Sequence, residues 1–396
     1  MKSAAIHPRS PLLIVGILLI ATCLRAPITG IAPLLKLICN SFGLSSTAGG
    51  LLTTLPLLAF GGVSPLAVIL ARTHGLERTL FGSMLLIIAG IAVRTVGPAS
   101  ALFLGTVVIG SGIAIGNVLL PSLLKRDFPG SVATLTAAYT LTMGIAAAIT
   151  SALAIPLAQL SDSTWRLATG VVILLPVIGA TVWIPQLKSR SAPAKGAATL
   201  AHSSSVWCSM LAWQVTLFLG LNSFVYYCGI SWLPAILHDA GYSTEEAGSL
   251  HGLLQLATAS AGVILLPVIR WMKDQRLAAA SSSTVALGGL IGLLFASHWA
   301  TTWTILLGLG TGAGIILGLS LVSLRASNVQ QAAALSGMAQ CIGYLFAATG
   351  PLLTGILHDA LGKWDVSLLL CALLCVAMAV FGVLAGRATH IGEVAR

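Results

Sequence analysis

Charged side chains are scarce in this chain. They make up 8% of its 396 residues, whereas 57% are hydrophobic. A soluble globular chain carries about 25% charged residues, so the composition excludes a soluble protein and predicts a polytopic membrane protein. The net charge of +10 would indicate nucleic-acid binding in a soluble chain. We attribute it to basic loops, and we expect the lipid bilayer and a small-molecule substrate, not nucleic acid, as partners.

Carboxylates are rarer still, and all ten fall between the long apolar segments, at their ends or in the tail. They are Glu77, Asp127, Asp162, Asp239, Glu245, Glu246, Asp274, Asp359, Asp365 and Glu393. Relays of Asp, Glu and His inside the membrane are common in proton-coupled carriers. Without acids, His251 is the obvious side chain within a span that titrates near neutral pH. Uniport, exchange and co-movement of a proton on the substrate all stay open.

The motifs of membrane-embedded enzymes are also missing. There is no HExxH, no GxSxG and no pair of carboxylates within a span, although such an enzyme needs a nucleophile with its base or a metal cluster. The seven cysteines show no CxxC and no Cys/His metal spacing, which indicates free thiols. We expect no enzymatic activity, no metal and no cofactor. A membrane-embedded enzyme or a non-transporting receptor remains the alternative, and a solute-flux assay separates both from a transporter.

Long apolar segments dominate what is present. About 20 apolar residues cross a bilayer as a helix, and such segments predict an all-α protein of twelve transmembrane helices. They lie near 11–38, 46–71, 78–97, 99–123, 131–157, 165–186, 209–237, 243–269, 276–297, 301–324, 328–356 and 363–386. The longer joint 187–207, rich in Ser, Ala and Lys, is typical of a flexible linker.

The distribution of Lys and Arg predicts the orientation. The N-terminus, the even-numbered joints and the C-terminus hold fifteen of the twenty basic residues. Since cytoplasmic loops carry the excess of Lys and Arg, both termini are expected in the cytoplasm. Lys36, Arg94, Arg166 and Lys363 are expected in or beside the opposite, outer joints.

The chain also repeats itself. Arg72 and Arg270 lie 198 positions apart, and Pro33 and Pro234 lie 201 apart. Two six-helix halves joined midway are the pattern of parallel repeats about an axis along the membrane normal, with the substrate bound between them. We therefore expect an N-terminal bundle at 1–186, a cytoplasmic linker at 187–207 and a C-terminal bundle at 208–396, related by pseudo-symmetry.

Several stretches resemble a known family. ARTHGLER, between the second and third spans, is similar to the signature loop of the major facilitator superfamily. LRAPITGIAPLL and GIAIGNVLLPSLLKRDFP resemble hallmark stretches of its cyanate and nitroimidazole permeases. WQVTLFLGLNSFVYY, AGSLHGLLQLATA and AAALSGMAQCIGY are similar to the 2-nitroimidazole exporter branch. The resemblance implies the major facilitator fold, the bacterial inner membrane and a cyanate-like or nitroimidazole-like substrate. We also expect a functional monomer.

Arg25 is the main candidate for the substrate site. It lies near the middle of the first span, where an arginine costs roughly 2.5–3.5 kcal/mol on insertion scales, and no acid lies in that segment. One interpretation is that Arg25 faces a cavity and holds a small anionic or polar substrate at the centre of an alternating-access transporter. The other is that it hydrogen-bonds carbonyls of a neighbouring broken helix.

Polar residues within other spans are further substrate-binding candidates. Three pairs are spaced four apart and so share a helix face: Asn222 with Tyr226, His251 with Gln255, and Gln340 with Tyr344. Tyr226 occupies the position of Arg25 in the second half, by the 201-residue offset. Asn117 and Tyr139 complete the set. Each of these residues could instead be ordinary polar contact between helices.

A third set of residues is basic and lies in the cytoplasmic joints. We predict a conformational latch there, and solvated positive-inside clusters are the alternative. The candidates are Arg72, Arg78, Lys125, Arg126, Arg270, Arg276 and Arg325.

Overall fold

The computed structural model describes residues 11–128, 131–160, 165–188, 204–327 and 329–391. Within them, twelve helices are long and apolar enough to cross a membrane, as predicted. We number them α1 (Pro11–Phe42), α2 (Ser46–His74), α3 (Leu76–Val96), α4 (Ala99–Asp127), α5 (Thr134–Gln159), α6 (Trp165–Lys188), α7 (Met210–Asp239), α8 (Thr244–Leu265), α9 (Arg276–Phe295), α10 (Ser297–Leu324), α11 (Ala334–Leu361) and α12 (Asp365–Ala385). Residues 189–203, most of the expected linker, lie outside the described residues.

Local chemistry accounts for several helix ends. α1 stops because Gly43 adopts a left-handed conformation with φ 64°, which glycine tolerates readily at a helix C-terminus. α2 starts after Ser45, whose hydroxyl accepts a bond from the backbone N–H of Ala48 at 3.2 Å. α7 starts in the same way after Ser209, since such caps satisfy free N–H groups of the first turn.

The chain packs around two main hydrophobic cores. One is built from residues between Ile17 and Trp183, and the other from residues between Val206 and Ile391. A smaller cluster crosses the interface between the two halves, which we call the seam. It brings Trp232 and Trp364 against α1 and α2. The halves meet mainly where α2 packs on α11 and α5 packs on α8.

Polar contacts join the two halves at one end of the molecule, which we call the clasped end. It comprises Lys36, Ser46, Thr47, Gln159, Asp239, Glu245, His358 and Asp359. The carboxylate of Asp359 accepts bonds from the backbone N–H of Ser46 at 3.0 Å and of Thr47 at 2.7 Å. It thereby caps the first turn of α2 from the opposite half. Lys36 pairs with Asp239 at 3.8 Å, and Gln159 donates to Glu245.

Candidate functional site

The first span is not a continuous helix, which the sequence analysis did not predict. Its first helix ends at Cys23, Leu24 and Arg25 form a turn, and a short helix follows at Ala26–Thr29. Pro27 lies at the start of that helix, where its ring and missing N–H prevent continuation from the preceding turn. Arg25 has φ −135° and ψ −44°. The break therefore falls at the candidate arginine itself.

A cavity of about 100 Å³ lies against Arg25 and between the halves. Its polar lining comes from Arg25, Ser223, Tyr226, Tyr227, Gln340 and Tyr344, and α7, α10 and α11 supply the apolar remainder. The guanidinium carbon of Arg25 lies 5.1 Å from the centroid of the Tyr226 ring, within cation–π range. The two positions that the internal repeat makes equivalent are thus in direct contact across the seam.

A second cavity, of about 300 Å³, adjoins the first through Gln340 and Tyr344, which line both. Phe60, Ser64 and Asn117 supply its wall from the N-terminal half. Asn117 is exposed to this space although it lies within α4. The structure therefore gathers Arg25, Asn117, Tyr226, Gln340 and Tyr344, all of them predicted, around one region between the halves.

The arginines of the protein differ in the partners that their guanidinium groups contact. Arg94, 1% exposed within α3, donates from Nη1 to the carbonyl of Pro27 at 2.7 Å. Arg325 donates to the carbonyls of Ala385 and Gly386, and burial lowers the pKa of its guanidinium despite the opposing charge of Asp274. Among the described residues, the half-buried guanidinium of Arg25 has the Tyr226 ring as its contact and no hydrogen bond or ion pair. Its N–H donors are available to a ligand.

Arg94 therefore fits the second interpretation that was open for Arg25. It bonds the free carbonyl of a broken helix, and it lies in the last turn of α3, beside the joint to α4 as expected. A carbonyl released by a helix break must find a donor when buried, and Arg94 supplies one. Only the apolar context of Arg94 in the sequence could have suggested this role.

His251 and Gln255 lie behind Tyr226 and do not line either cavity. Both are 0% exposed. The Tyr226 hydroxyl donates to Gln255 Oε1 at 3.3 Å, and Gln255 Nε2 lies 3.4 Å from His251 Nε2. His251 Nδ1 lies 2.9 Å from Ser151 Oγ of α5. Ser151 was not predicted, since a serine in an apolar helix carries no distinguishing signal in sequence.

Asn222 and Tyr139 lie elsewhere. Asn222 is fully buried and donates from Nδ2 to the carbonyl of Thr311 at 3.0 Å. Its Oδ1 faces Gly314, where a Cβ would lie only 2.1 Å away. Tyr139 packs against the N-terminal core. The bond of Asn222 matches the alternative of polar contact between helices, whereas the contact of Tyr139 is apolar packing.

Two of the predicted latch residues hold equivalent joints within their own halves. Arg126 pairs with the buried Glu77 at 2.9 Å, and Arg325 donates to Gln275. Glu77 and Gln275 are 198 positions apart, so the repeat preserves the pairing. Arg276 contacts Asp274 at 3.5 Å. Arg78 and Lys125 are exposed, as is Arg72, which also makes a contact of its own; the side chain of Arg270 lies outside the described residues.

Comparison with known proteins agrees with this architecture. Residues 17–348 match the Major Facilitator Superfamily. The chain is 53% identical to the 2-nitroimidazole transporter of Escherichia coli (strain K12), covering 96% of each. It is 27% identical to the cyanate transport protein CynX of the same organism, covering 88% of this chain and 90% of the relative. A bacterial homologue of the human lysosomal transporter Spinster has the same fold, with a TM-score of 0.75, 16% identity and coverage of 95% and 96%.

Proposed function

The chain belongs to the major facilitator superfamily and is a multi-pass membrane transporter, and from that premise we propose that it moves a small anion or nitro-heterocycle across the inner membrane by alternating access. Arg25 is the central binding residue. These named relatives are transporters and not enzymes. The observation that carries the proposal is the guanidinium of Arg25, unpaired among the described residues, in a cavity between the halves.

The chemistry of the cavity supports this substrate class. A guanidinium presents a planar fork of donors that matches an oxyanion or a nitro group in bidentate fashion. Tyr226, Tyr227 and Tyr344 supply ring faces and hydroxyls beside it, which suit a flat ring. The relatives' names, a 2-nitroimidazole transporter and a cyanate transport protein, fit a ligand with one compact electron-rich group.

Alternating access is supported by the two cores and the clasped end. Each half has a hydrophobic core of its own, so one can rotate against the other as a unit. We propose that the clasped end is the outer side and that it separates when the site opens outward. Spin labels at the exposed Ser41 and Lys363 should then move apart in one state of the cycle. A single unchanging distance during proven turnover would contradict rocking.

We further propose both termini in the cytoplasm and the monomer as the working unit. The charge asymmetry of the joints supports this orientation, and the cavity is built from one chain. Cysteines introduced at Ser41 and Lys125 should react with an impermeant reagent from opposite sides. Labelling of both from one side would contradict the topology.

His251 is proposed to tune the pH dependence of transport without acting as a strict relay. Its hydrogen-bond partners on α5 and α8 are Ser151 and Gln255, both uncharged. The nearest charged group that these contacts reach is Arg25, through Gln255 and Tyr226.

A binding screen followed by flux tests the function. Cyanate, nitrate, bicarbonate, small carboxylates and nitroimidazoles are added to the purified protein, and Tm is recorded. A ligand that binds only the folded state raises stability by RT ln(1 + [L]/Kd). Each ligand that raises Tm is then tested for uptake into proteoliposomes. Binding without flux would favour a receptor, and no stabilisation by any member would overturn the substrate class.

A further inference from the structure

A continuous chain of buried hydrogen bonds leads from the cavity to the seam between the halves. It starts at Tyr226 beside Arg25, passes through Gln255 and His251 in the C-terminal half, and ends at Ser151 in the N-terminal half. Building on the proposed transport function, we propose that this chain couples the occupancy of the Arg25 cavity to the opening of the clasped end. Ser151 is a positioning residue in this coupling and does not touch the substrate.

Each group in the hydrogen-bond chain can be assigned as donor or acceptor without conflict, starting from Ser151. Ser151 Oγ lies 3.3 Å from the carbonyl of Thr29, to which it donates, so it accepts from His251 Nδ1. A neutral imidazole that donates from Nδ1 accepts at Nε2, where Gln255 Nε2 donates. The amide oxygen of Gln255 is then left to accept from the Tyr226 hydroxyl. This tautomer and amide orientation follow from the network, and reversing one link reverses its neighbours.

The last link of the hydrogen-bond chain, between His251 and Ser151, lies in a part of the seam that must separate when the clasped end opens. Ser151 lies eight residues before the end of α5 and His251 seven after the start of α8, or about 10–12 Å from that end at 1.5 Å per residue. The backbones are close there: a Cβ on Gly252 would lie 2.8 Å from the carbonyl oxygen of Ala148. Ser151 and His251 are both 0% exposed, so water does not replace their bond until the helices part.

The hydrogen bonds of this chain differ in length, and their lengths suggest the order in which they break. The bond between His251 and Ser151 is 2.9 Å, whereas the links through Gln255 are 3.3 and 3.4 Å, at or beyond the long end of the hydrogen-bond range. A ligand that draws the Arg25 guanidinium off the Tyr226 ring, or accepts from the Tyr226 hydroxyl, breaks one of the two long links before the short one. Gln255 is then free to turn and His251 loses the partner that orients it. The seam bond is weakened only after the site is filled.

Ser151→Ala and Thr150→Val form a matched pair for the test. Thr150 is the neighbour of Ser151 on α5, and among the described residues its hydroxyl bonds the carbonyls of Ala146 and Ala147 in its own helix. Both variants are made in the full chain with the exposed Cys208 and Cys341 replaced and with spin labels at Ser41 and Lys363. The distance distribution is measured without ligand and with 2-nitroimidazole.

Ser151→Ala should raise the population with the clasped end open in the absence of ligand by about two- to tenfold, the value of one hydrogen bond. Thr150→Val should match the unsubstituted protein. Combined with Tyr226→Phe, Ser151→Ala should deviate from additivity although the two residues are not in contact, whereas distant independent sites add. If Ser151→Ala does not fold, Gln255→Met interrupts the same chain and should also open the end without ligand.

The results that would overturn the coupling are equally defined. An open population unchanged in Ser151→Ala, an equal change in Thr150→Val, or strict additivity with Tyr226→Phe would each refute it. If the unsubstituted protein transports 2-nitroimidazole and Ser151→Ala behaves identically, only the coupling fails. If the unsubstituted protein neither binds nor moves any ligand of the screen, the proposed function fails, and an increased open population in Ser151→Ala would still support the seam bond.

Discussion

Replacing Arg25 gives the sharpest test of the site. Its guanidinium stacks on the Tyr226 ring at 5.1 Å, a contact worth about 0.5–1 kcal/mol. Its N–H groups are free to donate to a ligand, and a charge-assisted hydrogen bond contributes about 1.5–3 kcal/mol. The Tyr226 contact is internal to the protein, so Arg25→Ala should weaken binding through the lost hydrogen bond alone, by about 1.5–3 kcal/mol, roughly ten- to 150-fold. Arg25→Lys keeps the charge without the planar fork and should lose roughly tenfold or more.

The assay records ligand affinity and Tm on the same purified variants. Arg166 is the matched control, because its guanidinium also lies over an aromatic ring, 5.3 Å from the centroid of Trp165, but outside both cavities. Arg166→Ala should leave affinity unchanged whatever it does to Tm. Full affinity in a well-folded Arg25→Ala would refute the substrate-site reasoning, as would a loss of the same size in Arg166→Ala.

Three other changes probe the rest of the molecule. Arg94→Lys should lower stability by about 1–3 kcal/mol, because the fork that bonds the Pro27 carbonyl is lost in a buried position; an unchanged Tm would show that the break in α1 does not need it. Asp359→Asn removes a negative charge from the first turn of α2, where it contributes about 0.3–1 kcal/mol. The population with the clasped end open should therefore rise about two- to fivefold, as measured from spin-label distances. His251→Gln should retain binding but alter the pH profile of flux, and an identical profile would reduce His251 to a packing residue.

Much of the architecture was accessible from the sequence, because membrane insertion depends on local properties. Twelve runs of apolar residues predicted twelve spans, and the described part of the chain contains twelve such helices, with ends that differ by a few residues. The two residues that the 201-residue offset pairs, Arg25 and Tyr226, are in contact in three dimensions. Most of the cavity could also be anticipated, since an arginine or a four-spaced polar pair is conspicuous in an apolar helix.

The sequence by itself thus determined the number of spans, the two halves and the residues from which a site could be built. Tertiary structure alone decided which polar residues face the cavity, since that depends on the rotation of each helix against its neighbours. In the folded protein Asn222 bonds the carbonyl of Thr311, and Tyr139 packs against the N-terminal core. It also gave the broken first span its donors, Arg94 from α3 and Ser151 from α5. Those partners lie 67 and 122 positions from the carbonyls they satisfy, a separation that only the packing of whole helices brings together.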